Sequence, residues 1–180
     1  SHGRCRFEGG VHDTERTCKF VLIRAATSAD VPAIGALWNV MIRDTTATFT
    51  STLKTDADLH ALLEARSDAF LVAQIDGAVA GFITWGPFRS GDGYVHTAEH
   101  SIITARSGQG ICKSLMQAAL AQAQRQGIHT LVACIGGENE AAVAFHRRLG
   151  FAISGQLPQV GRKRDRWHDL ILMSRVTSSS

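Results

Sequence analysis

The sequence predicts an α+β (mixed α/β) domain with one central sheet, and three observations carry that prediction. Two apolar runs, Phe70 to Ile75 and Ala78 to Trp85, flank Asp76-Gly77, a strong β-hairpin signal. Ser101 to Thr104, with the β-branched pair Ile102 and Ile103, leads through Gly108-Gln109-Gly110 into a helical stripe: Ile111, Leu115, Met116, Ala119, Leu120 and Ala123. A second strand–turn–helix unit then follows, Thr130 to Ile135, Gly136-Gly137, and Asn139 to Leu149. Antiparallel hairpins thus lead into a β-α-β-α section, a pattern that calls for one sheet flanked by helices.

In chain order, residues 1–18 are polar and aperiodic and are expected to be a flexible leader; a single domain spans 19–176, with a frayed tail over 177–180. Phe20 to Ala26 reads as the first strand. Thr27 or Ser28 caps a helix starting near Ala29, where Val31, Ile34, Leu37, Trp38 and Met41 recur at helical spacing and Pro32 is tolerated in the first turn. Asp56 to Arg66 is a second helix. After the hairpin, Gly86-Pro87 ends the strand and Phe88 to His96 reads as a loop. Gly127 closes the long helix as its C-cap, and Gly150 ends the next. Phe151 to Gly155 and Asp169 to Met173 are the last strands, joined by a loop carrying Arg162, Lys163, Arg164 and Arg166.

Composition narrows the function. A chain of 180 residues, 44% hydrophobic and 19% charged, has room for one sizeable core and is not disordered. A net charge of +3 is too small to argue for nucleic acid, and no helix-turn-helix or zinc pattern accompanies the basic loop. No apolar run approaches the ~20 residues that span a bilayer. The four cysteines, Cys5, Cys18, Cys112 and Cys134, form no Cys-x-x-Cys pair, and His96 and His100 are not on a helix, so no metal site is expected. The expectation is a cytoplasmic protein with free thiols.

The Gly108-Gln109-Gly110 segment has no Gly-Lys-Ser/Thr ending and no third glycine at dinucleotide spacing, which removes the P-loop and the Rossmann fingerprint. A plain turn fits it. So does a pyrophosphate held on the bare amides that open a helix, with Lys113 as a nearby cation, and coenzyme A is the common ligand of that description.

Two further motifs decide between these. Gly108 to Cys112 stands between a strand and a helix, and Asn139 leads Ala141-Ala142-Val143-Ala144-Phe145-His146-Arg147-Arg148-Leu149-Gly150-Phe151. In this the chain resembles the GNAT N-acetyltransferase superfamily. Within it, Thr45 to Phe49, Trp85 to Arg89, His96 to Ile102, Pro158 to Lys163 and Arg166 to Asp169 are similar to segments of the phosphinothricin and methionine sulfoximine/methionine sulfone acetyltransferases. Three departures stand out: a loop about two residues shorter between Ile103 and Gly108, with Ile103 where a Tyr is common; Ser107 where Gln or Arg is usual and Cys112 where Gly or Ala is usual; and Arg164-Asp165 where Phe-Gly is usual.

The resemblance implies a mostly antiparallel sheet with a splayed parallel pair, acetyl-CoA as co-substrate without a metal, a small-molecule amine substrate and a homodimer. It implies acetyl-CoA contacts at Ile102, Ile103, Thr104, Gly108, Gln109, Gly110, Ile111, Cys112, Lys113 and Asn139. Glu99 is the expected base, His146 the expected acid for the leaving thiolate, and Phe88, Arg89, Glu99, His100 and Lys163 the expected substrate contacts. Bland readings stand beside these: Glu99 as a solvated charge, His146 as a core side chain, Asn139 as a helix N-cap only. The activity implied is transfer of an acetyl group to the α-amino group of a small amino-acid analogue, with detoxification as its result. A GNAT acting on a polyamine or a protein N-terminus, or a non-catalytic acyl-CoA-binding module, is the alternative.

Overall fold

Among the described residues, seven strands and four α-helices follow from these patterns. The structure, a computed structural model, describes residues 20–106 and 110–178. The expected leader, and Gly108 and Gln109 of the glycine loop, lie outside the described residues. The strands are β1 (Val21–Ala25), β2 (Phe70–Ile75), β3 (Ala78–Pro87), β4 (Thr97–Thr104), β5 (Thr130–Gly136), β6 (Ala152–Lys163) and β7 (Arg166–Val176). They form one sheet in the order β1-β2-β3-β4-β5-β7-β6, antiparallel throughout except for the parallel pair β4–β5.

The helices divide between the two faces. On one face, α1 (Val31–Asp44) and α2 (Asp56–Arg66) bury Val31, Ile34, Ile42 and Leu59 against Phe70, Phe82 and Ile103 of the sheet. On the other, α3 (Ile111–Arg125) lays the stripe Leu115, Met116, Ala119 and Ala123 against Ile83, Trp85 and Leu131. Each fully buried Leu or Met there contributes about 1.5–3 kcal/mol. The shorter α4 (Glu140–Arg148) adds Val143 and Phe145 to the same side.

Local chemistry sets the helix starts. Ahead of α1 the predicted cap, Thr27, opens a single 3-10 turn at Ser28–Asp30 instead, its N–H donating to Asp30 Oδ2 at 2.8 Å, and Asp30 is the N-cap of α1 itself. The Asp30 carboxylate also takes two 2.8 Å bonds from Arg24, which hold its pKa below the usual carboxylate range. At α2, Thr55 and Asp58 exchange bonds in a capping box.

The C-terminal hairpin differs most from expectation. The strands predicted as Phe151 to Gly155 and Asp169 to Met173 are the halves of two much longer ones, and the basic loop is mostly strand. Only Arg164 and Asp165 turn the chain, both in the left-handed region at φ 52° and 58°. Bulges between Ile153 and Gly155 and between Leu157 and Gly161 bend β6.

One glycine on this hairpin fixes the neighbouring loop. A Cβ on Gly161 would lie 2.1 Å from the Phe49 ring, which packs against the bare glycine and stacks on His168 with centroids 5.5 Å apart. Replacing Gly161 by Ala is expected to displace Phe49 and destabilise the domain by about 1–3 kcal/mol, the usual range for overpacking. At about 2–4 °C per kcal/mol for a domain of this size, a thermal melt resolves the loss, and an unchanged Tm would show that Phe49 moves aside freely.

Candidate active site

The parallel pair parts company. β4 and β5 are paired only from Thr97 and Thr130 to His100 and Ala133. Beyond these, β4 stays with β3 as far as Thr104, and β5 stays with β7 as far as Gly136. The Ala105 N–H donates to the Ala80 carbonyl on the β3 side at 2.8 Å, so strand alternation turns the main-chain groups of Ile102 and Thr104 into the gap. The Gly137 N–H donates to the Asp169 carbonyl on the β7 side at 2.8 Å, so those of Cys134 and Gly136 face it from opposite. The gap opens into a cavity of 380 Å³. Its walls include Glu99 to Ile103, Cys134 to Gly136, Asn139 and His146, with Trp38, Met41, Thr48, Phe49 and Lys54 on the α1 side.

Glu99 lines this cleft, half-buried, opposite Gly86 in the β3–β4 register. The Arg66 guanidinium lies on Gly86, where an added Cβ would come within 1.9 Å of Nη1. Burial lowers the Arg66 pKa, and the Glu99 carboxylate partly offsets that. Across the gap, burial first and the Glu99 charge second push the Cys134 thiol up to about 12. Cys134 therefore stays protonated beside Glu99 and is no nucleophile.

His100 and His146 form a buried pair with Nε2···Nε2 at 3.0 Å, 6% and 4% exposed. The His146 Nδ1 lies 2.7 Å from the Ala142 carbonyl, which can only accept, so Nδ1 carries a proton. In the neutral ring Nε2 is then the acceptor, and the His100 Nε2–H donates to it. The His100 Nδ1 is left as a buried lone pair without a hydrogen bond, although the Val132 backbone lies near enough to favour a charged ring slightly. Burial and then the like charge of His146 hold His100 down to about 3, and burial lowers His146 as well. Both rings are neutral near pH 7. Both His146 nitrogens are thus engaged within the protein, one by His100 and one by the Ala142 carbonyl. His146 joins α4 to the last paired residue of β4.

The remaining expected residues divide. Asn139 lines the cleft and caps α4, its side chain accepting from the Ala142 N–H at 3.1 Å. Gly110 caps α3 in the left-handed region at φ 71°, with open space where a Cβ would stand. Ile111 is 2% exposed in the core, the Cys112 Sγ lies 3.4 Å from Thr104 Oγ1, and Lys113 is exposed beside the helix start. Ile103 turns its side chain into the α1 core and its main chain toward β3, so Ile102 and Thr104 supply the open edge.

Two expected substrate contacts are elsewhere. Lys163 is 5% exposed, and its Nζ donates to the carbonyls of Ile42, Thr45 and Thr48 at 2.7, 2.7 and 2.8 Å. All three donors are used, so Lys163 ties the hairpin to the end of α1 rather than gripping a substrate. Burial lowers its pKa, with Arg164 adding to the effect. Arg89 stands over the Tyr94 ring at 5.2 Å, in a second groove of 560 Å³ lined also by Arg66, Trp85 and Gln126. Phe88 continues from β3, half-buried, its N–H donating to the Thr97 carbonyl at 3.3 Å. Sequence reasoning missed Arg66, the Cys134–Glu99 contact and Lys54, none of which sits in a motif.

The Acetyltransferase (GNAT) family pattern matches residues 36–151. The chain belongs to the GNAT acetyltransferase family. It is 39% identical over 157 residues to an L-methionine sulfoximine/L-methionine sulfone acetyltransferase of Pseudomonas paraeruginosa, covering 84% of this chain and 91% of that protein. It is 32% identical over 154 residues to a phosphinothricin N-acetyltransferase of Streptomyces viridochromogenes, covering 83% and 84%. The structure of yncA from Salmonella typhimurium with its cofactor acetyl-CoA superposes at a TM-score of 0.84 with 34% identity, over 89% of this chain and 95% of that one. The residues along the splayed parallel pair fit acetyl-CoA. Unpaired strand edges at Ile102 and Thr104 suit an amide-bearing arm, and the α3 start, free of acidic residues, suits a pyrophosphate. Among the described residues no group of three or more His, Cys, Asp or Glu is placed to hold a metal, and no helix is long and apolar enough to cross a membrane.

The histidine pair has a consequence for stability. Unfolded histidines titrate near pH 6.5, while folded His100 does so at about 3. Between these values the unfolded chain takes up a proton that the folded one refuses, so stability is full above about pH 6.5 and falls as pH drops toward 3. Replacing His100 by Gln, which keeps an N–H for His146 but does not titrate, is expected to flatten Tm against pH between about 6.5 and 4. Identical slopes in both proteins would refute the assigned burial of a neutral His100.

Proposed function

We propose that this GNAT protein transfers the acetyl group of acetyl-CoA to the α-amino group of a small amino-acid analogue of the methionine sulfoximine, methionine sulfone or phosphinothricin type. The observation that carries the reading is Glu99, the single carboxylate among the described residues that line a cleft whose strand edges are open. The names of the relatives at 39% and 32% identity support the substrate class.

When bound, acetyl-CoA supplies an activated thioester. The chain's own residues do the rest. The amides at Ile111 to Lys113, bare at the start of α3, hold the pyrophosphate with the helix dipole. Ile102 and Thr104 pair with the pantetheine arm, and an N–H of that edge polarises the thioester carbonyl. An α-ammonium group is mostly protonated near neutral pH, so it must give up a proton before it attacks. Glu99 accepts it, directly or through a water. The amine nitrogen then bonds to the thioester carbon as the C–S bond breaks. A thiol near pKa 8.5 leaves readily as thiolate and takes its proton from solvent. Acetylation removes the charge of the amino group, and with it the amino-acid character by which such analogues inhibit glutamine synthetase. A cytoplasmic homodimer conferring resistance belongs to the same reading.

Thiol release from acetyl-CoA against methionine sulfone, methionine sulfoximine, phosphinothricin, spermidine and a peptide tests the proposal. Turnover is expected on the first three. Glu99→Gln is expected to lower kcat/KM by about 10²–10⁴, the usual worth of a general base, with acetyl-CoA affinity unchanged by calorimetry. A fully active Glu99→Gln enzyme would remove Glu99 as the base.

A further inference from the structure

An α-amino acid brings a carboxylate as well as an amine; Lys163 is spent on three main-chain carbonyls, and Arg89 stands over Tyr94 in the neighbouring groove. The geometry points to Lys54 as the residue that anchors the acid group of the substrate and selects acid-bearing amines; this rests on the amino-acid reading above. Lys54 lies in the stretch between α1 and α2 and lines the cleft on the same side as Trp38 and Met41. Its backbone is clamped to α1: its N–H donates to Asn39 Oδ1 at 2.8 Å, and its carbonyl accepts from Asn39 Nδ2 at 2.9 Å. Its ammonium sits 4.5 Å from the centre of the Trp38 ring, which orients the cation without satisfying its N–H donors. Among the described residues Nζ has no hydrogen-bond acceptor and no ion pair. The nearest carboxylate to feel it, Asp58, is already held by Thr55 in the α2 cap.

Among the described residues lining this cavity, Lys54 is the one lysine or arginine and Glu99 the one carboxylate, while burial holds the histidine pair toward the neutral form. One cation and one carboxylate in a single cleft complement a zwitterion: the ammonium goes to Glu99, the acid group to Lys54. The same pair disfavours a polyamine, whose second ammonium would meet Lys54 without a counter-charge.

Kinetics and binding of the wild type, Lys54→Gln and Lys54→Glu, each confirmed as folded by a melt, test this with methionine sulfone, its primary amide and spermidine. A charge-assisted bond in this setting corresponds to about 10- to 100-fold. Lys54→Gln is expected to lower kcat/KM for the acid by that factor, to leave the amide and the KM for acetyl-CoA unchanged, and so to abolish the acid-over-amide preference. Lys54→Glu is expected to raise turnover of spermidine. An unchanged preference in Lys54→Gln, or a raised KM for acetyl-CoA with the preference intact, overturns the assignment. Calorimetry of methionine sulfone on the CoA-saturated protein separates this from the catalytic reading. Binding that weakens in Lys54→Gln while the wild type turns nothing over keeps Lys54 and overturns the reaction. No binding by the wild type overturns both.

Discussion

Everything functional in this molecule depends on β4 and β5 ceasing to pair after His100 and Ala133. A buried main-chain N–H or C=O without a partner costs about as much as a lost hydrogen bond, so two strands do not separate inside a sheet unless something else serves their edges. Each retains its outer neighbour, β3 for β4 and β7 for β5, so only one edge of each is bare. Those edges open on a cavity that water or a ligand can enter. The sheet thereby keeps a set of main-chain donors and acceptors at a fixed place without the penalty of burying them.

The separation is held from both faces. On the α3–α4 side, the His100–His146 bond ties the last paired residue of β4 to α4, and the Ala142 carbonyl holds the other His146 nitrogen. On the α1 side, the Lys163 ammonium takes carbonyls from the end of α1 and from the following loop, and Phe49 of that loop lies on Gly161. A cation at a helix C-terminus also meets the negative end of the helix dipole. Lys163 thus sets the wall that carries Thr48, Phe49 and, further along the same connection, Lys54.

The fold was largely legible in the sequence because its core elements carry strong periodicity. The α3 stripe from Ile111 to Ala123 is apolar at helical spacing, and all of its named positions are buried. The β6–β7 hairpin was not legible beyond its ends. β6 is exposed at most positions and is interrupted by Gly155, Pro158 and Gly161, so neither alternation nor burial marks it as a strand. At the site, Glu99 and Asn139 were readable because they sit in motifs. Lys163 was misread because a lysine's partners decide its role, and here they are carbonyls more than a hundred residues earlier in the chain. The surroundings of His146 were not legible for the same reason: its ring partners are His100, forty-six residues away, and a helix carbonyl.

The departures from the family's usual pattern can now be weighed physically. The Ile at position 103 replaces a common Tyr, but its main chain faces β3 and its side chain fills the α1 core with Trp38 and Phe82. The edge offered to a pantetheine arm comes from Ile102 and Thr104 and survives the change. The shorter loop before Gly108 would matter if it moved the first turn of α3. That turn is pinned independently: Ile111 is buried in the core, and Cys112 meets Thr104 at the end of β4. A helix anchored by its own buried side chain does not depend on the length of the loop that enters it, so the bare amides keep their position relative to the open strand edge. In place of the usual Phe-Gly, Arg164 and Asp165 still turn the hairpin, with both residues in the left-handed region that glycine enters without strain. Here the strain stays within the hairpin tip, because Lys163, one residue before the turn, is held by its three carbonyls.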